Sequence, residues 1–311
     1  MKNETYAEKV KERLRQKAGN KLGDKAKSHE GQHPDIFLNP SDNMIDGVFP
    51  DKKSVKGTLS TEELKMDRMG NLVSSFAMCV SYFKQFFRTE EREKAFCRIL
   101  TRLGIDMQGA EIQNAAFELL PSEAYRNDPV KRPYDRTNFD FFLELTDGRR
   151  ISWEIKFTEV EFGKISSSKS SGPYARQWER VYSKLYRTSV YRKADDPVCT
   201  NGYACLQAGG LTGECSLRSS CAICEFYSHY QIRRNIVWAQ HAGDHVMFLT
   251  PRENTSLDAE RAYIEAYADQ YGKGYIHNVY WEDLLPITLQ ETAGDSALHD
   301  YYARFKSKYL D

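Results

Sequence analysis

Three observations predict an α/β fold, a central sheet flanked by helices. Residues 139–157 read as two alternating strands joined at a glycine-containing turn. Ahead of them, residues 71–87 and 90–103 carry apolar side chains at helical spacing. Beyond them, the short apolar runs 245–250 and 275–281 are separated by helix-patterned sequence. At 311 residues the chain can bury a full core, as one large domain with insertions or as two small ones.

Residues 4–27 read as a basic helix with Tyr6, Val10 and Leu14 on one side, followed by polar, Pro- and Gly-punctuated sequence to about residue 57. Residues 1–66 are therefore expected to form a basic, polar N-terminal arm. His29 and His33 stand at i, i+4, but Gly31 and Pro34 argue against a helix that would present them together. Ser60-Thr61-Glu62-Glu63 reads as a capped helix start. In the run 71–87 the apolar stripe is 72, 73, 76, 80, 83 and 87, and Cys79 reads as a core thiol. Cys97 has the same reading on the second helix. A strand is expected near Ala115–Leu120, ended by Pro121.

The most informative stretch is Tyr134–Glu161. Strand side chains alternate, so Ser152, Glu154 and Lys156 share one face, while Ile151, Trp153, Ile155 and Phe157 form a core face. The turn decides where Asp140 lies. A two-residue Asp147-Gly148 loop sets it opposite Ile155, among apolar side chains. A three-residue loop, Thr146-Asp147-Gly148, puts Gly148 at the left-handed position and pairs Asp140 with Glu154. The second register is expected, because the first buries a carboxylate at a cost of roughly several kcal/mol. Two adjacent carboxylates repel, and hard oxygen ligands of this kind suit Mg²⁺. A lysine beside them can orient and help deprotonate a water, or stabilise charge building on a phosphate oxygen.

Formal net charge is zero but uneven. Residues 1–27 carry nine Lys/Arg against four Asp/Glu, residues 149–193 eleven against four, and residues 253–300 two against ten. The basic stretch beside the hairpin includes a Ser/Gly-rich loop (166–172) and a helix expected over Tyr174–Tyr191, where Arg and Lys interleave with aromatics. Lys164, Lys169, Arg176 and Arg180 are the candidate phosphate contacts there. No apolar run approaches the length of about 20 residues that spans a bilayer, and the N-terminus lacks the apolar stretch of a signal peptide. A cytoplasmic location is expected, with the seven cysteines reduced unless they hold a metal.

Five of those cysteines, Cys199, Cys205, Cys215, Cys221 and Cys224, fall within 26 residues of Gly-rich sequence. Such a segment rarely orders itself without a cross-link or metal. Cys205, Cys215, Cys221 and Cys224 are the expected ligands of a structural metal, with Cys199 or His229 as substitutes. Spacing leaves Zn²⁺ and an iron–sulfur cluster both open; free thiols or a disulfide are the alternative.

Asp140, thirteen intervening residues and then Glu154-Ile155-Lys156 resemble the motif of the PD-(D/E)XK nuclease superfamily, with Phe139 where the eponymous proline stands. Asn71-x-x-Ser74-Ser75 and the helix opening Tyr230-Gln231-Ile232-Arg233-Arg234 resemble segments of a restriction-endonuclease family within it. The resemblance implies a restriction-endonuclease-like mixed central sheet over residues 67–311, with 158–230 as a basic-helix and Cys-rich insertion. It implies a nuclease hydrolysing phosphodiester bonds of DNA, RNA left open, in which Asp140 and Glu154 hold Mg²⁺ with the Ile155 carbonyl and Lys156 serves the water. It further implies Glu118 as an added carboxylate, Gln231 beside the metal site, and Arg234 on phosphate. Some members of the superfamily carry [4Fe–4S] clusters on cysteines at x5 and x2 spacings plus a distant fourth, an order reversed in this chain, and restriction-like enzymes often act as homodimers, although no interface stands out here. The rival readings are a non-catalytic nucleic-acid-binding protein held by the Cys-rich metal module, and a metal-stabilised protein adaptor.

Overall fold

Among the described residues six strands form one mixed sheet whose spatial order is the order of the chain: β1 (Ser54–Lys56), β2 (Ile112–Leu119), β3 (Phe139–Leu145), β4 (Arg150–Ile155), β5 (His245–Thr250) and β6 (Ile276–Tyr280). The computed structural model describes residues 4–18, 40–65, 69–120, 138–163, 181–192 and 222–311. Strands β1 to β4 run antiparallel to their neighbours, and β4, β5 and β6 run parallel. Parallel neighbours need crossovers, and the helices that supply them cover one face of the sheet.

The opposite face carries the larger core. Phe117, Phe141, Leu143, Ile151, Trp153, Ile155, Met247 and Leu249 project into it. At its centre lies α2 (Ser75–Phe83), with every residue from Phe76 to Phe83 buried. A helix apolar on all sides belongs inside a protein. Ser74 caps it by accepting from the Ala77 amide at 3.1 Å. Phe83 stacks on Phe141 with centroids 4.1 Å apart, and Tyr82 meets Phe86, Trp281 and Phe305 edge-on; each such pair contributes about 0.5–1.5 kcal/mol beyond its buried area. Two of the buried hydroxyls find backbone acceptors, Tyr302 donating to the Tyr82 carbonyl and Tyr301 to the Ser81 carbonyl, both at 2.6 Å. Around α2 stand α3 (Glu90–Arg102, capped by Thr89), α8 (Trp281–Glu291) and α9 (Ser296–Tyr309, capped by Asp295). Helix α1 (Tyr6–Ala18) buries Val10 and Leu14 against this layer, and Arg13 donates to the Leu310 carbonyl at 3.1 Å.

The crossover face holds α4 (Ser183–Thr188), α5 (Ala222–Ser228), α6 (Tyr230–Val237) and α7 (Asp258–Tyr271). Among the described residues its apolar side chains form two small cores. The first joins Ala116, Phe142, Tyr182, Phe226 and Trp238; the second joins Val246, Phe248, Ile232, Ile236 and Ile264. Between them runs β4, whose side chains on this face are Ser152 and Glu154, with Lys156 just beyond.

Two expectations differ from the structure. Ser60–Glu63 starts no helix: Lys53 N–H donates to the Glu62 carbonyl at 2.9 Å and Leu64 N–H to the Asp51 carbonyl at 3.1 Å, so the segment pairs back on residues 51–53 in extended form. Strand pairing here overrides the capping signal. The helix expected to Tyr191 ends at Thr188, where Ser189 N–H closes on the Leu185 carbonyl. No described helix is long and apolar enough to cross a membrane.

Candidate active site

The hairpin closes with the three-residue turn: Gly148 has φ of +87°, its amide donates to the Leu145 carbonyl at 3.0 Å, and Leu145 N–H donates to the Arg149 carbonyl at 2.9 Å. The ladder pairs Leu143 with Ile151, Phe142 with Ser152 and Phe141 with Trp153, which sets Asp140 level with Glu154. On the other side, Phe117 pairs with Phe141 and Leu119 with Phe139, which sets Glu118 level with Asp140. Three carboxylates thus stand in one row across β2, β3 and β4.

The strands part at this row. Asp140 Oδ2 accepts from the Ile155 amide at 2.6 Å, so a carboxylate takes a backbone donor at the strand end. Glu118 has φ of +45°, a left-handed backbone that costs a non-glycine residue about 1–2 kcal/mol. That kink breaks the alternation of β2: Phe117 enters the large core, whereas Leu119 two residues on lies with Phe139 in a small core. The Glu118 carboxylate accepts from Asn138 Nδ2 at 2.8 Å.

Glu154 is buried and surrounded by donors. Lys156 Nζ donates to its Oε1 at 2.8 Å; Asn235 Nδ2 donates to its Oε2 at 2.8 Å, and Arg234 reaches the same oxygen at 3.4 Å. Lys156 is fixed through its own amide, which donates to the Leu249 carbonyl at 3.0 Å, and its ammonium lies 5.7 Å from the Phe162 ring centre. Burial pulls this lysine down, but the charges of Glu154, Asp140 and Glu159 outweigh burial and hold it above its ordinary value. Asp140 is pushed well above the usual carboxylate range, first by burial and then by Glu154 and Glu118, against the pull of Lys156 and the Ile155 amide. Behind the row, the Cys79 thiol lies 3.6 Å from the Asp140 carbonyl, and burial raises it further than do the neighbouring carboxylates.

Gln231 and Arg234 fall on α6 as expected, but only Arg234 meets Glu154. Gln231 turns to the loop after the hairpin: its amide donates to the Gly163 carbonyl at 3.2 Å, and its side chain lies so close that a Cβ on Gly163 would come within 3.3 Å of Oε1. Sequence reasoning missed Asn235, one turn further along the same helix. It also missed Glu159, which accepts from Ser75 Oγ and from the Phe157 amide, both at 2.6 Å, and so ties the start of α2 to the exit of β4. The Ser74-Ser75 pair singled out in the sequence was the available signal for that tie.

Lys164, Lys169, Arg176 and Arg180 lie outside the described residues, as do Cys199, Cys205, Cys215 and Cys221, and His29 and His33. Cys224 falls within α5. His229 precedes α6 and stacks on Tyr263 at 3.6 Å. Among the described residues no three His, Cys, Asp or Glu side chains are grouped to hold a metal ion. The donor set of Asp140 and Glu154 nevertheless suits a hard divalent cation: two carboxylates are level, Asp140 Oδ1 accepts nothing among the described residues, and a cation would offset both the burial that chiefly raises Asp140 and the added repulsion of Glu154 and Glu118.

A family model described as Restriction Endonuclease associating with ARP matches residues 6–310. No curated protein and no solved structure matches the chain.

Proposed function

The chain belongs to the family of the Restriction Endonuclease associating with ARP, and from that membership we propose a Mg²⁺-dependent nuclease that hydrolyses DNA phosphodiesters with a PD-(D/E)XK-type centre. The observation that carries the reading is the row itself: Asp140 level with Glu154, and Lys156 Nζ 2.8 Å from the latter. Asp140 and Glu154 would hold the cation, which when bound supplies Lewis acidity and charge stabilisation at the scissile phosphate. Lys156 keeps its proton at neutral pH, because its carboxylate neighbours hold it above its ordinary value. It therefore acts as a fixed ammonium that orients the water and meets charge developing on a phosphate oxygen. Asn235 and Arg234 hold Glu154 in place, and Arg234 is in addition the proposed phosphate contact from α6. Glu118 adds charge beside Asp140. Lys164, Lys169, Arg176 and Arg180 are the proposed phosphate contacts, and Cys205, Cys215, Cys221 and Cys224 the proposed ligands of a structural Zn²⁺ or [4Fe–4S] group.

The test is plasmid nicking with Mg²⁺ and with chelator. Asp140→Ala should abolish cleavage and Lys156→Ala should lower it by on the order of 10²–10³-fold, both with the native circular dichroism spectrum retained. Undiminished cleavage in either variant sinks the assignment. One observation favours a second reading: both oxygens of Glu154 already hold partners within the chain, as in a structural polar network. A non-catalytic nucleic-acid-binding protein would retain DNA in a salt-dependent manner without nicking it.

A further inference from the structure

On the far side of the large core, α1, the 3₁₀ turn Pro40–Asn43 and α9 border an open cavity of about 520 Å³. That volume lies within the range of roughly 300–1,000 Å³ usual for small-molecule sites. Three cations line it: Lys17, Arg304 and Lys308. Among the described residues none of the three is in an ion pair. Lys308 Nζ donates to the carbonyl and, at 2.9 Å, to the side-chain oxygen of Asn43; Lys17 donates to the Ser307 carbonyl; Arg304 lies 5.9 Å from the Tyr301 ring. Among the described lining residues Asp42 is the one carboxylate against these three basic side chains, so the wall is basic on balance. The remaining wall is largely apolar, with Leu14, Met44 and Leu72.

Lys308 is half-buried and Lys17 exposed, and an ammonium whose acceptors among the described residues are all neutral gains from a nearby anion. Burial pulls Lys308 down to about 7, and burial followed by Arg13 lowers Lys17. An anion seated between them would relieve both. We propose that this cavity binds a phosphate monoester of mononucleotide size, its phosphate between Lys308, Lys17 and Arg304 and its carbon skeleton against Leu14, Met44 and Leu72. A phosphate monoester carries nearly two negative charges at neutral pH, complementary to this basic wall. The site is separate from the carboxylate row but touches the same framework. Asn43, which holds Lys308, also donates to the Met69 and Asn71 carbonyls at 2.7 Å each, at the root of α2, and Ser75 of α2 binds Glu159.

Titration calorimetry on the full chain tests it, using adenosine 5′-monophosphate, adenosine, and a short single-stranded oligonucleotide with and without a 5′-phosphate. The expected result is one site for the monophosphate, no heat with adenosine, and affinity lowered about tenfold or more in Arg304→Ala and in Lys308→Met. Arg304 is exposed, so Arg304→Ala decides the matter even if Lys308→Met fails to fold. Tighter binding of the 5′-phosphorylated oligonucleotide than of the monophosphate identifies a nucleic-acid end as the source, and the reverse identifies a free nucleotide. Equal binding of adenosine and its monophosphate overturns the proposal. So does equal binding of the two oligonucleotides with no monophosphate binding, or unchanged affinity in Arg304→Ala.

Discussion

Asn235 holds Glu154 from a distance of 81 residues along the chain. It is the nearer of the two α6 donors to that carboxylate, and its own oxygen accepts from Arg234 at 3.2 Å. Asn235→Leu keeps the volume and removes both bonds, leaving charged groups short of partners in a buried place. The expected cost is about 1–3 kcal/mol of stability, read by urea unfolding, with plasmid nicking reduced at least tenfold. The hairpin residues were legible because alternation and one glycine fix their faces. Asn235 was not. The Gln- and Arg-bearing helix could be picked out, but which of its residues reaches the sheet depends on how Ile232 and Ile236 seat in one small core and Val237 in the other.

Among elements, the hairpin turn offers the cleanest test. Nothing lies within 4 Å of a Cβ built on Gly148, so Gly148→Ala meets only its backbone at φ +87°. It should lower stability by about 1 kcal/mol in thermal unfolding, while the register, held by Trp153 and Phe141 in the core, and the activity persist. Strands β5 and β6 give a pH prediction. His245 Nδ1 and His277 Nε2 are 3.0 Å apart; burial, then the neighbouring imidazole, lowers His245 to about 3, and burial lowers His277 to about 4. Both are neutral in the folded protein, while the unfolded chain takes up protons below about 6.5. Their contribution is therefore complete above pH 6.5 and is lost as pH falls from there toward 4, by on the order of a few kcal/mol. Unfolding free energy measured from pH 7.5 to 4.5 should fall across that window, and less steeply in His277→Gln. Neither the histidine contact nor the extended pairing of Ser60–Glu63 was legible, since each depends on a neighbouring strand segment whose placement local patterning does not specify.

For the whole molecule, helices flanking a sheet could be read from the sequence, whereas the strand order could not. Strands β4 and β5 are parallel neighbours although Ile151 and His245 lie 94 positions apart, and periodicity carries no information at that range. The division of the crossover face into two cores was likewise hidden, because it depends on which side of β4 its polar residues face. It has a consequence for how the protein comes apart. Helices α6 and α7 rest on patches separated by a charged seam, whereas α2, α3, α8 and α9 share one continuous interior. Amide hydrogen exchange should therefore report two tiers of opening, with α6 and α7 releasing their protons at lower cost than β3 and α2. A chain built this way would let its carboxylate row meet solvent through partial loosening of one layer, while the other layer stayed shut.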